Sequence, residues 1–471
     1  MERRSRVCRM VNAFRSRRAM RRATVGVMAA GLLAVAACSG GQSVGGASAT
    51  SGSNSPYGFT TAKQNSSAAL TVWVDSTRLP FAQAYQKAHP NVKLNIVTYD
   101  GDANGSNTFK TKMSLYDRAG SGWPDVTFTA DDNAASWGSL QGTGALAPLN
   151  KGLAPASFLN GFATGSLGVC TVNGVTYCVR SDLAQVVLWY NKTLMQKFGY
   201  TVPTTWEQYE QLADKVAVQH PGYIVGTAGD AWTPEIYMWA SQCPANDITG
   251  AKSLTVNTSN PNCLKMAKLL DNTIANKTMS TLSLFGPDFS KAEANGEGGK
   301  VLMLPGPAWY GGSVLQGTLK APKGEFAVAA PLHWAGQPEV TGDVGGGAWW
   351  ISSHSANLKA AENFIQWVTS TDSYDGTLNP GYPAYVPAAE KWAQATQATG
   401  YYAGNIVAPI EQAASDVWTG WGSGAFSQEA VWAKVVLSGM AQGKTIESLL
   451  PAWQTEIQNE AQVLGYTVTT Q

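Results

Sequence analysis

The stretch from Gly168 to Val216 constrains the fold of this chain more than any other part of its 471 residues. It begins with Asn173-Gly174 between two cysteines, the pattern of a tight hairpin turn. The apolar, β-branched and aromatic residues of Val186–Tyr190 then predict a buried strand. A short helix is expected over residues 191–198, ending at Gly199, because glycine tolerates the left-handed conformation of a helix C-terminus.

A second helix is predicted after Pro203. Thr204 and Glu207 have the spacing of a capping box, in which each side chain accepts a hydrogen bond from the other residue's backbone N–H. Apolar side chains beyond this cap recur at helical spacing: Trp206, Tyr209, Leu212, Ala213 and Val216. The stretch therefore predicts a hairpin, a buried strand, a short helix and a capped helix in that order.

Composition and charge exclude some classes of protein. Only 14% of the residues are charged while 44% are apolar, which is typical of a globular chain of two or three domains. Nine of the 33 basic residues but one of the 32 acidic residues lie in residues 1–22, so the remainder carries a net charge of −7. This acidic balance argues against nucleic acid as a partner.

The N-terminal region has the pattern of an export signal. Residues 1–37 are predicted to be a signal peptide, since arginines precede an apolar run that is too short and Ala-rich for a membrane span. The run ends in Ala36-Ala37-Cys38, which looks like a bacterial lipobox, so we expect Cys38 to be lipidated at the start of the mature chain. Plain secretory cleavage is the alternative. Residues 38–67 are rich in Ser, Gly, Thr and Asn and predict a flexible tether.

The remaining landmarks alternate strands and helices. Leu70–Val74 and Val92–Tyr99 are predicted strands with a helix between them, the opening of a parallel, doubly wound sheet. Another predicted strand ends at Asp131, and a short strand precedes Trp309. A run of three glycines then comes before a strand over residues 348–352, which is followed by an amphipathic helix.

In this order the features resemble the extracellular solute-binding proteins, family 1, of bacterial ABC sugar importers. The resemblance spans about Leu70 to Val463. It implies an α/β fold of two lobes, each a mainly parallel sheet flanked by helices, with a ligand cleft between them and about three crossings. Lobe 1 is expected over residues 68–183 and 326–378, and lobe 2 over residues 184–325 and 379–471.

The resemblance also implies a role and partners. The protein would capture a carbohydrate in the cleft and deliver it to the transmembrane subunits of a permease. The lipid would hold it on the extracellular face of the cytoplasmic membrane. We expect a monomer, without a nucleic-acid partner.

Four cysteines remain once the signal peptide and the lipidated residue are set aside. An exported protein with four cysteines is expected to form two disulfides. Of the three possible connectivities we favour Cys170–Cys178, which closes the hairpin, and Cys243–Cys263. A zinc site is not expected, because the pairs lack C-x₂-C spacing.

No catalytic constellation stands out in the sequence. The four histidines lie in unrelated contexts, and no phosphate-binding loop of the form GxxxxGK[ST] occurs. We therefore predict a binding protein that is not an enzyme and has no cofactor or metal. A membrane-tethered, glycan-active hydrolase is the alternative, since a fold can bring two acids together. A binding protein for a non-sugar solute such as a peptide is a third possibility.

Aromatic residues are the positive signal for a carbohydrate ligand: the chain has 17 Trp and 17 Tyr. An indole covers the apolar face of a sugar, while carboxylate, amide and guanidinium groups bind its hydroxyls. Ligands bind beyond the carboxyl ends of parallel strands, so residues that follow strands are candidates. Trp309 is the strongest, because Pro305-Gly306-Pro307 is expected to end strand pairing before it. The predicted ligand-binding residues are Asp75, Arg78, Asp131, Asp132, Trp232, Glu235, Trp309, Gly346, Trp349 and Tyr382.

Overall fold

The structure, a computed structural model, describes residues 55–141, 144–294, 298–370 and 381–470. The predicted signal peptide, Cys38 and the predicted tether up to residue 54 lie outside these ranges. Within them, no helix combines the length and the apolar character needed to cross a membrane.

Short strands are spread over the whole described part of the chain. They are β1 (Leu70–Val74), β2 (Leu94–Thr98), β3 (Val126–Thr129), β4 (Thr171–Val172), β5 (Val175–Thr176), β6 (Cys178–Arg180), β7 (Asp182–Leu183), β8 (Val186–Asn191), β9 (Gly226–Thr227), β10 (Asp247–Gly250), β11 (Ser253–Val256), β12 (Met279–Ser280), β13 (Met303–Pro307), β14 (Phe326–Ala329), β15 (Ala348–Ile351), β16 (Tyr382–Pro383) and β17 (Thr467–Thr470).

Helices alternate with these strands and dominate the last third of the chain. They are α1 (Leu79–Ala88), α2 (Thr108–Ala119), α3 (Ala134–Gln141), α4 (Ala156–Leu159), α5 (Lys192–Phe198), α6 (Trp206–Gln219), α7 (Thr233–Ile236), α8 (Pro261–Ala275), α9 (Pro287–Ala294), α10 (Leu358–Thr369), α11 (Val386–Thr399), α12 (Val407–Ser415), α13 (Gln428–Trp432), α14 (Ser438–Met440) and α15 (Ile446–Val463).

The first lobe is built on a five-stranded sheet with the order β2-β1-β3-β15-β6. β1 is parallel to β2 and to β3, as the β-α-β opening predicts. β15 is antiparallel to both β3 and β6. The carboxyl ends of β1, β2, β3 and β6 therefore share one edge of the sheet with the segment that enters β15. That edge borders the cavity between the lobes.

The second lobe contains a three-stranded sheet with β8 at its centre, in the order β13-β8-β14. Both neighbours are antiparallel to β8, so this sheet differs from the mainly parallel one expected. The apolar run of β8 predicts that both faces of the strand are buried. Parallel and antiparallel neighbours bury it equally well, so the run does not show which strands pair with β8. β14 was expected in lobe 1, and its pairing with β8 instead places it in the sheet of the second lobe.

Three segments of the chain pass side by side between the two sheets. β7 pairs with β16, and Gln185 bridges to Asp343. The backbone N–H of Val186 also donates to the carbonyl oxygen of Gly342 at 2.8 Å. These narrow connections carry backbone pairing between the lobes.

The predicted hairpin and both predicted disulfides are confirmed. Cys170–Cys178 and Cys243–Cys263 are bonded. The first disulfide closes the antiparallel pair β4–β5, and Asn173 at the turn has a φ of 50°. A positive φ at this position is what an Asn-Gly turn requires.

Helix α6 begins one residue later than predicted. Its N-cap is Thr205, whose hydroxyl oxygen accepts from the backbone N–H of Gln208 at 3.2 Å. Glu207, expected in a capping box with Thr204, instead accepts from Lys265 Nζ at 2.9 Å. The sequence offers Thr-x-x-Gln as well as Thr-x-x-Glu, so two overlapping caps compete. The predicted buried face of this helix is confirmed.

Strand β13 also differs from the prediction. Pro305-Gly306-Pro307 was expected to end sheet pairing, but the register continues to Pro307 opposite Val186. β13 lies at an edge of its sheet. Proline, which has no backbone donor, is tolerated at an edge because the missing N–H can face away from the ladder.

Both ends of the described chain add contacts that the sequence did not predict. Gly58 N donates to the carbonyl oxygen of Lys151 at 2.8 Å, and Leu358 N donates to Gln64 Oε1 at 3.0 Å, so the last part of the predicted tether lies against the first lobe. The C-terminal region is mainly helical from Val386 to Val463. It finishes with β17, which pairs in parallel with β11.

Candidate functional site

A cavity of about 550 Å³ lies between the two lobes, beside the loops that follow β1 and β2. The glycine-rich crossing over residues 344–347 forms one wall. The side chains that line it from the two lobes include Asp75, Arg78, Tyr99, Asn104, Trp232, Phe285, Trp309, Ser313 and Glu429.

Aromatic rings form one side of this cavity. Trp309 is partly buried, and its indole N–H donates to the carbonyl oxygen of Val344 at 3.0 Å. The ring of Trp232 lies edge-on to it at 6.1 Å between centroids, and Phe285 lies nearly parallel to it at 6.3 Å. Phe285 is 50% exposed. The polar edge of Trp309 is therefore satisfied by protein, which leaves its ring for apolar contact.

Charged residues also line the cavity, among them Asp75 and Arg78. The backbone N–H of Arg78 donates to Asp75 Oδ1 at 2.7 Å, and Arg78 Nη2 donates to Asp182 Oδ2 at 2.6 Å. The guanidinium also lies 4.3 Å from the ring centroid of Phe128. These contacts fix Arg78 between the loop after β1 and the first crossing. A fixed guanidinium and carboxylate are suited to binding hydroxyl groups.

Gly346 shows why the crossing needs glycine. Its φ is 81°, and a Cβ at this position would lie 2.3 Å from the carbonyl oxygen of Asp182. Neither the backbone conformation nor the space suits another residue. The bare backbone forms the cavity wall here.

Carboxylates from both lobes meet next to the cavity. Glu429 of the second lobe accepts from the backbone N–H of Gly105 in the first lobe, at 2.8 Å from Oε2. Burial, and then repulsion from Asp131, raise the pKa of Glu429 to about 8. Burial raises the pKa of Asp132 to about 7 and raises the pKa of Glu235 well above its usual value. This acidic cluster consists of Asp131, Asp132, Glu235 and Glu429.

The structure brings five of the ten predicted ligand-binding residues to the cavity: Asp75, Arg78, Trp232, Trp309 and Gly346. Three others, Asp131, Asp132 and Glu235, lie in the acidic cluster and do not line the cavity.

The remaining two predicted residues lie elsewhere. Trp349 is 1% exposed and packs against Phe128 and Phe364 in the core of the first lobe. Trp349 is the second residue of β15, and its ring lies on the face of the sheet that packs against Phe364 of α10, so it is buried although the start of β15 borders the cleft. The hydroxyl of Tyr382 donates to Glu411 Oε1 at 2.9 Å, away from the cavity.

Sequence reasoning missed other residues that line the cavity, among them Tyr99, Asn104, Phe285 and Glu429. Tyr99 directly follows β2, so the rule that found Asp75 could have found it. Asn104 Oδ1 accepts from the backbone N–H of Ala231 at 3.0 Å and so connects the lobes. Phe285 follows a two-residue strand, and Glu429 lies on a short helix. Elements this short have no clear sequence pattern, so neither residue could be predicted.

Residues 71–375 match the family profile described as bacterial extracellular solute-binding protein. The chain belongs to this family. It is similar to the multiple sugar-binding protein of Streptococcus mutans serotype c, with 26% identity over 208 residues. That match covers 42% of this chain and 48% of the relative, so it spans about half of the relative's length. The family is one of extracellular proteins that bind solutes, and the hydrolase alternative finds no support here.

Solved structures share the fold. The ABC-transporter-associated binding protein of B. animalis subsp. lactis Bl-04, in complex with β-1,6-galactobiose, has a TM-score of 0.70 and 21% identity, covering 86% of this chain and 100% of its own. The galacto-N-biose-/lacto-N-biose I-binding protein of Bifidobacterium longum has a TM-score of 0.69 and 19% identity, with the same coverage. The GacH receptor of Streptomyces glaucescens GLA.O has a TM-score of 0.64 and 20% identity, covering 85% and 99%. The predicted two-lobed, periplasmic-binding-protein-like fold is confirmed.

Proposed function

We propose that this protein is the substrate-binding component of an ABC importer, and that it captures a mono- or oligosaccharide in the cavity and delivers it to a membrane permease. One observation carries the proposal: Trp309 and Trp232 line the same cavity between two lobes as Asp75 and Arg78. The sugar ligands named for its relatives point in the same direction.

The chemistry of the cavity suits a sugar. A pyranose has an apolar C–H face and a rim of hydroxyls, so it needs a flat apolar surface and several polar groups in one site. Trp309 supplies the surface, while Asp75 and Arg78 supply an acceptor and donors. A volume of about 550 Å³ is within the range of small-molecule pockets.

Closure of the two lobes would enclose the ligand. The lobes are joined by three narrow segments, and each lobe contributes side chains to the cavity. A ligand that contacts both lobes binds the closed form more tightly and so shifts the population toward it. The closed form would then be the one that the permease recognises.

The protein would be held at the extracellular face of the cytoplasmic membrane by a lipid on Cys38. Support comes from the small residues before this cysteine and from the Ser- and Gly-rich segment after it. Cys38→Ser should move the protein from the membrane fraction to the soluble extracellular fraction, whereas Ser39→Ala should not. Continued membrane retention and processing of Cys38→Ser would contradict the anchor.

A thermal-shift screen against mono- and oligosaccharides tests the central proposal. A saccharide at one hundred times its Kd should stabilise the folded protein by about 2.7 kcal/mol and raise its melting temperature. Short peptides and free amino acids serve as the comparison set. Stabilisation by peptides with none by any saccharide would replace the proposal with the peptide-binding alternative.

A further inference from the structure

A second cavity, of about 560 Å³, also lies between the lobes. Trp239 and Trp421 form part of its lining and stack with ring centroids 5.5 Å apart and an interplanar angle of 12°. The Arg180–Asp343 ion pair, with Nη2 and Oδ2 at 2.5 Å, is also part of the lining. Indoles, hydroxyls and a fixed ion pair are the same kinds of group that line the first cavity.

The order of the strands places the two cavities side by side. The first cavity is lined by the loops that follow β1 and β2 and by Ala130, which follows β3. The second cavity is lined by Ser136 and Ser139 of α3, the helix that follows β3, and by Arg180 of β6. Because the sheet order is β2-β1-β3-β15-β6, these groups follow one another along the same edge. The cavities therefore adjoin along the boundary between the lobes.

The partition between them is thin. Asp343 lines the second cavity, while the next residue, Val344, lines the first. Arg180 Nη2 donates to the carbonyl oxygen of Gly345, which lines the first cavity, at 2.6 Å. One or two residues thus separate the two spaces at this crossing.

We propose that the two cavities are the two ends of one cleft, and that the ligand is an oligosaccharide long enough to occupy both. Its ends would stack on Trp309 and on the Trp239–Trp421 pair, and hydroxyls between them would meet the Arg180–Asp343 ion pair at the partition. A disaccharide would occupy the first cavity alone. This inference rests on the proposed carbohydrate binding in the first cavity and specifies the length of the ligand.

Chain-length dependence of binding tests it. The probes are maltose, maltotriose and maltotetraose, and β-1,6-linked galactobiose, -triose and -tetraose, titrated calorimetrically into the mature protein. In the series that binds, the tetrasaccharide should bind roughly tenfold more tightly than the disaccharide, through one more stacked ring. Equal affinities for the disaccharide and the tetrasaccharide would overturn this proposal. If no saccharide of any length binds, the proposed carbohydrate-binding function itself is wrong.

Two variants test whether the higher affinity for the tetrasaccharide arises in the second cavity. Thr249→Trp fills the second cavity from an exposed position in its lining, and Trp421→Ala removes the stacked ring. Both should abolish the tetrasaccharide's advantage and leave the disaccharide Kd within about twofold, which also shows that the fold is intact. Thr470→Trp, an exposed strand position in the same sheet that lines neither cavity, is the matched control. Retention of the full advantage in Thr249→Trp would overturn the proposal.

Discussion

Trp309 is the residue on which carbohydrate affinity should depend most. Its N–H is bonded to Val344, and its ring contacts Trp232 and Phe285 at the cavity. Burying a sugar face on an indole contributes on the order of 1–3 kcal/mol. Trp309→Ala should therefore weaken binding of the best saccharide by roughly tenfold to a hundredfold in calorimetric titration.

Trp123→Ala controls for the general cost of removing an indole. Trp123 is also partly buried and hydrogen-bonded, to Asp117 Oδ1 at 2.8 Å, but it stacks on His354 outside both cavities. It should lower stability without changing affinity. If Trp309→Ala behaves in the same way, with affinity intact, then Trp309 is a packing residue.

Glu429 should make stability depend on pH. Its pKa is raised from 4.5 to about 8, so the folded protein holds a proton that the unfolded chain releases above about pH 4.5. Its contribution to stability is then lost progressively as pH rises from about 5 to 8. Glu429→Gln, which keeps an acceptor for Gly105 N–H, should stabilise the protein by about 1–3 kcal/mol at pH 8 and little at pH 5.

Melting curves across this pH range measure the effect. Glu339→Gln, at an exposed position, is the matched control and should follow the wild type at every pH. A Glu429→Gln profile parallel to that of the wild type would show that this carboxyl group does not take up the proton.

At the scale of elements, the one-residue difference in the cap of α6 gives a matched pair of variants. Thr205 accepts from Gln208 N–H, whereas Thr204 donates its hydroxyl to Gln208 Oε1 at an exposed position. Thr205→Ala should cost about 1 kcal/mol of unfolding free energy, and Thr204→Ala only a few tenths. Urea denaturation measures both. The reverse ranking would restore the cap predicted from the sequence.

The sequence predicts elements better than it predicts their partners. The apolar run of β8 and the glycine after α5 are local signals, and both elements form where they were expected. Which strand pairs with β8 depends on contacts distant in sequence, so the placement of β14 was wrong. The proline-containing end of β13 was misjudged for the same reason, because edge position is not a local property.

The candidate site shows the same division. Asp75 and Arg78 follow a parallel strand and line the cavity, as the strand-end rule predicts. Trp349 was selected because it follows a glycine-rich turn, but its ring packs against Phe364 of α10, and the residues of a fully buried strand do not show which face each side chain takes. Phe285 and Glu429 reach the cavity only through the packing of the second lobe, which no local pattern records.

At the scale of the molecule, closure of the lobes should be measurable in solution. Asn104–Ala231 and Gly105–Glu429 are hydrogen bonds between the lobes, and opening would break both. Small-angle scattering should show a smaller radius of gyration when a saccharide from the screen is saturating. A saccharide that does not bind should leave the radius unchanged. An unchanged radius with the saturating ligand would contradict the hinge.

The position of β15 has a consequence for how the protein is made. This strand lies between β3 and β6 in the sheet of the first lobe, yet the chain reaches it only after β8–β14 of the second lobe. During synthesis the gap between β3 and β6 therefore stays empty until β8–β14 have emerged, and closing so long a loop is slow. For the same reason no single uninterrupted gene fragment encodes the first lobe. Producing that lobe alone would require joining two distant coding segments.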